Sequence, residues 1–265
     1  KMRTFKSNRT LSLSLFILLL AYETCVYSTK EDVNTNNRDL LTIYDKKTLH
    51  QLNSVFLLVQ QWPPGVCQSQ SRFRVSNSKS CLSEFQHLTN WTIHGLWPNY
   101  KNGSYPSFCN NTQTFNVSQI RSLLPKMYSY WPSYFDTNSM VFWEHEWSKH
   151  GTCAVGMCKY IKSQFQYFDT TLSLKFKTNI YQVFRSAGIV PSSWRYYKYE
   201  DMKYTLRENF GVYPLLQCHK DFYKNHQVLT SIVFCFDSLL DPMDCLKVYY
   251  SDDPCVVNMP VMYLV

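Results

Sequence analysis

The sequence predicts an α+β fold in which an antiparallel β-sheet forms the core and several helices flank it. Three observations support this prediction. Short apolar segments bounded by Gly and Pro lie near both ends of the chain, whereas helical patterns fill the middle, an order that is typical of α+β domains. The 265 residues are 45% hydrophobic and 17% aromatic, which is enough for one sizeable core. Ten cysteines indicate that disulfide bonds stabilise the fold.

The first 28 residues have the features of a secretory signal peptide. A basic start precedes an apolar run over residues 11–21, and small residues near position 28 suit cleavage after Ser28. The run is too short to span a bilayer, although a signal anchor is the alternative. The sequence therefore predicts a protein that is secreted or that resides in the lysosomal or endosomal lumen, with no membrane contact after the signal is removed.

The mature chain is expected to hold one domain. Residues 29–53 are polar and rich in Asn, so we expect a flexible N-terminus there, followed by a single domain over residues 54–265. The net charge is +8, and loss of residues 1–28 removes four basic residues and Glu23, which leaves +5. This mild excess is compatible with a polyanionic partner. Four sequons, which also favour export, offer N-glycan sites at Asn90, Asn102, Asn110 and Asn116.

The strands are predicted at the two ends of this domain. An apolar run over residues 54–61 ends at WPPG, residues 62–65, and a loop is expected between Cys67 and Cys81. A second strand over residues 91–96 is expected to end at Trp97-Pro98. Further strands are predicted over residues 213–218 and 227–236.

Helical patterns occupy the middle of the chain. Glycines that follow the last turn predict helix ends at Gly151, Gly188 and Gly211. The predicted helices cover residues 116–130, 139–149, 160–177, 180–187 and 200–209.

The chemically richest segment is FWEHEWSKHGTC, residues 142–153. On a helix, Glu146 and His150 share one face, and His145 and Lys149 lie together along a neighbouring edge. Two cations, a base and a carboxylate on one patch suit an anionic group that undergoes proton transfer. The pattern differs from a His-Glu-x-x-His zinc site, because the histidines are five apart and point about 140° away from each other. An ordinary solvated helix face is the alternative.

A second histidine, His94, lies in the strand candidate WTIHGLWP, residues 91–98. With a period of two, His94 shares a face with Thr92 and Leu96. A lone strand histidine is more often a core residue than a catalyst. However, HGLWP followed about fifty residues later by FWxHEWxKHGTC resembles the two active-site segments of the ribonuclease T2 family. The resemblance extends over about residues 54–260 and implies the α+β fold of that family.

The resemblance implies endonucleolytic cleavage of single-stranded RNA without a metal ion or cofactor. The 2′-hydroxyl attacks the adjacent phosphorus and leaves a 2′,3′-cyclic phosphate. His150 would be the general base and His94 the general acid, since histidine titrates near neutral pH. Glu146 and Lys149 would stabilise the phosphorane, and His145 would bind phosphate. DNA, which lacks the 2′-hydroxyl, should not be cut.

The resemblance also assigns base-binding side chains. Trp97 and Tyr105 correspond to the family's positions for the base on the 5′ side, and Phe142 to a position for the following base. Core packing is the alternative for each ring. Asn99 stands where the family often has aspartate, and asparagine accepts hydrogen bonds from an amino group more weakly than a carboxylate does. The base preference is therefore open.

Family analogy implies four disulfides. They are Cys67–Cys81, Cys109–Cys153, Cys218–Cys255 and Cys235–Cys245. Cys158 is left over, as a free thiol, an intermolecular link or a sign of a different pairing. We expect a monomer. The competing hypothesis is a secreted glycoprotein that keeps this fold but acts by binding or signalling; the complete set His94, Glu146, Lys149 and His150 favours an enzyme.

Overall fold

The computed structural model describes residues 53–72, 80–221, 224–249 and 254–265. It confirms the predicted α+β class: one seven-stranded sheet carries several flanking helices. The strands are β1 (Ser54–Gln61), β2 (Thr92–Tyr100), β3 (Tyr196–Tyr197), β4 (Leu215–Asp221), β5 (His226–Asp237), β6 (Pro242–Met243) and β7 (Val261–Met262). The α-helices are α1 (Pro63–Arg72), α2 (Leu124–Tyr130), α3 (Ser139–Glu146), α4 (Thr152–Met157), α5 (Gln164–Lys177), α6 (Ile180–Ser186) and α7 (Tyr199–Phe210). Tighter 3₁₀ turns cover Ser83–Phe85, Val117–Leu123 and Lys247–Tyr249, and a π-helical segment covers Trp147–Gly151.

The strand order is β2-β1-β5-β7-β3, and β4 and β6 also pair with β5. All pairs are antiparallel except β5 with β7. β1 is buried on both faces, because Phe56 and Leu58 contribute to the helix-side core whereas Leu57 contributes to a smaller core on the other face. Burial on both faces explains the continuous apolar run.

Proline positions account for two wrong boundaries. The segment after Trp62 does not stop regular structure: α1 begins at Pro63, where the missing N–H would have no helical partner anyway. The expected loop from Cys67 is therefore partly helix. β2 does not end at Pro98 but continues to Tyr100. Among the described strands β2 pairs only with β1, and an edge strand tolerates a proline.

The helix ends are correct except at Gly151. Gly188 and Gly211 have φ of 74° and 76° and follow α6 and α7 as predicted. Gly151 has φ −60°, and the chain continues into α4. A Cβ there would lie 2.3 Å from the Trp147 ring, so close packing, rather than a left-handed turn, requires this glycine. The helix predicted from residue 160 begins later, at Gln164.

The four implied disulfides are confirmed, and Cys158 is an unpaired, buried cysteine in the described part of the chain. Within the same residues, no helix is both long enough and apolar enough to cross a bilayer. The predicted signal peptide and all but the last residue of the segment 29–53 lie outside the described residues. The single-domain boundary at residue 54 stays a prediction.

Candidate active site

A β-bulge positions His94. Ile93 and Gly95 pair with consecutive residues of β1, so His94 is the extra residue between them. A bulge redirects a side chain and disturbs the alternation of the strand. Ile93 and Leu96, three apart, both enter the helix-side core. The expectation that His94 shares a face with Thr92 and Leu96 is therefore wrong: its side chain is 32% exposed instead.

The π-helical segment carries the second histidine. Between α3 and α4 the chain widens over Trp147–Gly151, a departure that is frequent at functional sites. His150 is buried, Lys149 is half-buried and His145 is exposed. The charges of His145 and Lys149 both act on His150. α3 and the π-helical segment therefore bring these three groups close enough to interact, although the histidines are five residues apart.

Trp97 lies between Glu146 and the two histidines, His94 and His150. Its Nε1 donates a hydrogen bond to Glu146 Oε2 at 2.9 Å. Its indole stacks on the ring of His150 at 5.1 Å between centroids and meets the ring of His94 edge-on at 4.9 Å. The structure thus brings the three predicted catalytic side chains around one indole. Trp97, predicted to bind a base, contacts all three of them.

Gly95 makes the approach of helix and strand possible, a role that sequence reasoning missed. A Cβ at this position would lie 2.1 Å from Glu146 Oε2 and 2.4 Å from Trp97 Nε1. No side chain fits there without displacing this hydrogen bond. The available signal was a glycine inside a strand pattern, which often marks a close approach.

Burial sets the protonation of the site. Glu146 is 1% exposed, and desolvation raises the pKa of its carboxyl to about 8, against the opposing effects of the Trp97 hydrogen bond and the Lys149 charge. Burial, followed by neighbouring positive charges, lowers the pKa of His94 and of His150. The unliganded site at neutral pH therefore holds a neutral carboxylic acid and neutral imidazoles.

The directions of these pKa shifts decide how the contact between His94 and Glu146 is described. His94 Nε2 lies 3.8 Å from Glu146 Oε1, which is too long for a hydrogen bond. An ion pair would require the opposite protonation of both groups, so we treat them as neighbours rather than as a salt bridge. His145 is less enclosed, yet burial and the Lys149 charge also lower its pKa.

The other predicted base-binding residues differ in their positions. The Phe142 ring lies 5.6 Å from the His94 ring and also packs against the core, so both interpretations of this residue stay open. Tyr105 is 65% exposed, and no ring contact among the described residues joins it to the histidines. Asn99 is buried and donates its Nδ2 to the carbonyl of Tyr249 at 2.7 Å, so this side chain stabilises the fold.

Phe108 is an aromatic side chain at the rim that sequence reasoning missed. Its ring lies 6.3 Å from that of His145 in an edge-on arrangement. Its N–H donates to the carbonyl of Lys149 at 3.0 Å, and the next residue, Cys109, is bonded to Cys153. Only the implied Cys109–Cys153 disulfide could have indicated from sequence that this loop lies against the helical segments that carry His145 and Lys149.

Within the described ranges of the chain, no group of three or more His, Cys, Asp or Glu side chains is arranged to hold a metal ion.

The chain is similar to known ribonucleases in sequence and in structure. The model of the Ribonuclease T2 family matches residues 53–245. The chain is 38% identical over 184 residues to Ribonuclease 1 of Arabidopsis thaliana, covering 69% of this chain and 75% of that protein. A crystal structure of human RNase T2 superposes with a TM-score of 0.65 at 32% identity, covering 80% of this chain and 98% of that one. A mutant of RNase MC1 in complex with 5′-GMP gives a TM-score of 0.66 at 29% identity, covering 80% and 100%.

Proposed function

The chain belongs to the ribonuclease T2 family and is a T2-type endoribonuclease, and we propose that it cleaves single-stranded RNA by metal-free transphosphorylation. The observation that carries this proposal is that His94 and His150, from two different elements, contact the same indole. In-line displacement needs a base beside the attacking oxygen and an acid beside the leaving oxygen. That a related structure holds 5′-GMP supports a nucleotide ligand.

The proposed reaction needs one proton transfer at each histidine. His150 takes the proton of the 2′-hydroxyl while the 2′-oxygen forms a bond to phosphorus. The bond from phosphorus to the 5′-oxygen breaks, and His94 gives its proton to that oxygen. The products are a 2′,3′-cyclic phosphate and a free 5′-hydroxyl. Hydrolysis of the cyclic ester uses the same groups with their roles exchanged.

The protonation states of His150 and His94 before RNA binds suit their proposed roles as base and acid. A buried His150 with a lowered pKa is neutral at neutral pH and is ready to accept a proton. His94 is neutral as well, but an anionic phosphate beside it favours the imidazolium and raises its pKa. Substrate binding therefore charges the acid, and its side chain is exposed enough to exchange protons with water.

Glu146 acts in this proposal as a hydrogen-bond donor. A carboxylate beside a phosphate would be repulsive, whereas a protonated carboxyl can donate to a non-bridging oxygen. Because Glu146 Oε2 already accepts from Trp97, Oε1 is the oxygen available to carry the proton. Lys149 contributes positive charge where the phosphorane develops negative charge, and His145 becomes charged when an anionic phosphate binds beside it.

The proposal extends to the cellular setting of the protein. We place it in the extracellular space or in the lysosomal or endosomal lumen as a monomer, with no DNA cleavage. Asn102 and Asn116 are exposed, and Asn90 and Asn110 are half-buried. Attachment of a glycan to the amide nitrogen would leave Asn102 Oδ1 free to keep accepting from Ser104. No observation favours a purely binding or signalling role over catalysis.

The proposal is tested with an oligodeoxynucleotide that contains a single ribonucleotide. His150→Ala and His94→Phe should each lower kcat/KM by about 10²- to 10⁴-fold, since each removes one proton-transfer partner. The exposed His87 provides the matched control, and His87→Ala should cleave like the wild type. EDTA should have no effect on the rate. A fully active His150→Ala variant, or loss of activity on chelation, contradicts the two-histidine mechanism.

A further inference from the structure

Phe108 has a backbone conformation that phenylalanine rarely adopts. Its φ is 52°, in the left-handed region, where a bulky side chain is disfavoured. Two other non-glycine residues in the described part of the chain have positive φ, Asn225 and Leu240. Asparagine tolerates this region, and Leu240 packs against the hydrophobic core. Phe108 has neither compensation, because its side chain is 60% exposed.

The surroundings of Phe108 hold the loop in this conformation. Its N–H is tied to the carbonyl of Lys149, and the adjacent disulfide joins Cys109 to Cys153 in α4. Both links lead to the segment that carries His150. Strain that is imposed by the surroundings and not offset by burial points to a role for the side chain in its exposed position.

The ring stands beside the proposed phosphate-binding groups. It meets His145 edge-on at 6.3 Å, and the Lys149 charge acts on the same histidine. An exposed aromatic ring next to phosphate-binding cations is the arrangement by which proteins hold single-stranded nucleic acid, with phosphates on the cations and bases stacked on the rings. Trp97 is less available for stacking, because the His150 ring lies against its indole.

We propose that Phe108 forms a stacking subsite for an unpaired nucleobase of the RNA strand, on the His145 side of the reacting phosphate. This inference rests on the proposed function, because the ligand is the RNA that the active site cleaves. The rigid backbone presents the ring in a fixed orientation, so that little flexibility is lost when a base stacks on it. Stacking is tolerant of base identity, since every base has a π-face.

The test uses oligodeoxynucleotides with one ribonucleotide at the cleavage site and one abasic position moved stepwise along the flanks. On the substrate that has no abasic position, Phe108→Ala should lower kcat/KM by about 5- to 150-fold, the range that corresponds to loss of stacking on one base. For one abasic position, wild type and variant should become equal, and that position identifies the base. Phe108→Trp should retain activity. Tyr204→Ala, which removes a similarly exposed ring on α7, should change nothing.

Two further measurements separate stacking from a structural role. Phe108→Gly relieves the backbone strain while removing the ring, so it should match or exceed the wild type in Tm yet lose the same kcat/KM as Phe108→Ala. The Kd of fully 2′-O-methylated, non-cleavable oligonucleotides should show the same dependence on the abasic position. If the wild type shows this dependence of Kd but cleaves none of the substrates, the subsite is supported and the proposed function is overturned. An equal loss on every abasic substrate, or no loss at all, overturns the subsite.

Discussion

Two helical regions that pack against the same core differ in regularity. α5 runs without interruption from Gln164 to Lys177, and the side chain of Ser163 accepts a hydrogen bond from the N–H of Gln166 at its start. The segment 139–157 begins with a similar cap at Asn138 but widens into a π-helix before α4. The irregular segment carries His145, Lys149 and His150.

Departures from regular geometry concentrate where the predicted catalytic groups converge. The catalytic edge combines a bulge at His94, a π-helical segment, a positive φ at Phe108 and a buried carboxyl at Glu146. Such features cost stability and persist when the surroundings enforce them. α5 shows no backbone irregularity, so substitutions on it that touch no site element, such as those at Lys175, should affect stability alone, whereas substitutions at the catalytic edge should affect the rate.

Gly95 should give the largest effect on the catalytic edge. Gly95→Ala places a methyl group within 2.1 Å of Glu146 Oε2, which must displace the carboxyl or Trp97. We expect kcat/KM per folded molecule to fall by about 10³-fold. The control is Gly65→Ala in α1, a helix that carries none of the predicted site residues. Its Cβ would lie 2.0 Å from the carbonyl oxygen of Leu229. It should lower Tm while the folded fraction keeps its kcat/KM. Full activity of Gly95→Ala would show that the close approach is not required.

Lys149 should give a smaller effect that is confined to the transition state. The phosphorane carries more negative charge than the substrate, so Lys149→Met should lower kcat by about 10²-fold with little change in KM. The matched control is Lys159→Met, outside the π-helical segment, which should leave both constants unchanged. A rise in KM at constant kcat would show instead that Lys149 binds substrate and transition state equally.

Lys175 tests the regular region. This side chain is 5% exposed in α5, and burial lowers its pKa to about 8. Between pH 8 and the unfolded pKa of 10.5 the unfolded chain binds more protons, so stability rises with pH in that window. Lys175→Met should therefore raise Tm by about 2–5 °C at pH 7, and this gain should disappear at high pH. kcat/KM should stay unchanged; a change in rate would contradict the separation of the two regions.

The regular parts of the molecule could be predicted from local patterns. β1 was recognisable because burial on both faces gives a continuous apolar run, and α6 and α7 because Gly188 and Gly211 end them. The side chains of the catalytic cluster were recognisable through their two sequence segments. The structure brings His94, Glu146 and His150 together as the segments implied; their roles stay proposals.

The irregular parts depend on distant packing, which local patterns do not encode. The bulge at His94 follows from the need to place Ile93 and Leu96 in one core. Gly151 resembled a helix end, but the Trp147 ring requires it. Phe108 lies beside His145 because a disulfide and a backbone hydrogen bond hold its loop against α4 and the π-helical segment. A prediction based on the two-residue repeat of a strand and the 3.6-residue repeat of a helix assumes ideal elements. It fails where tertiary contacts distort those elements.

We propose that burial of Glu146 and His150, and partial burial of His94, keep all three groups neutral until phosphate binds. The most direct test is the pH dependence of kcat/KM for the wild type and Glu146→Gln. Activity rises as His150 loses its proton and falls as His94 loses its own, so two lowered pKa values predict an optimum on the acid side of the ordinary histidine value of 6.5. Because glutamine also donates a hydrogen bond, Glu146→Gln should keep substantial activity with both limbs unmoved. An optimum above 6.5 would show that the pKa values of the two histidines are not lowered, and limbs that move in Glu146→Gln would show an ionised Glu146; either result contradicts the claim.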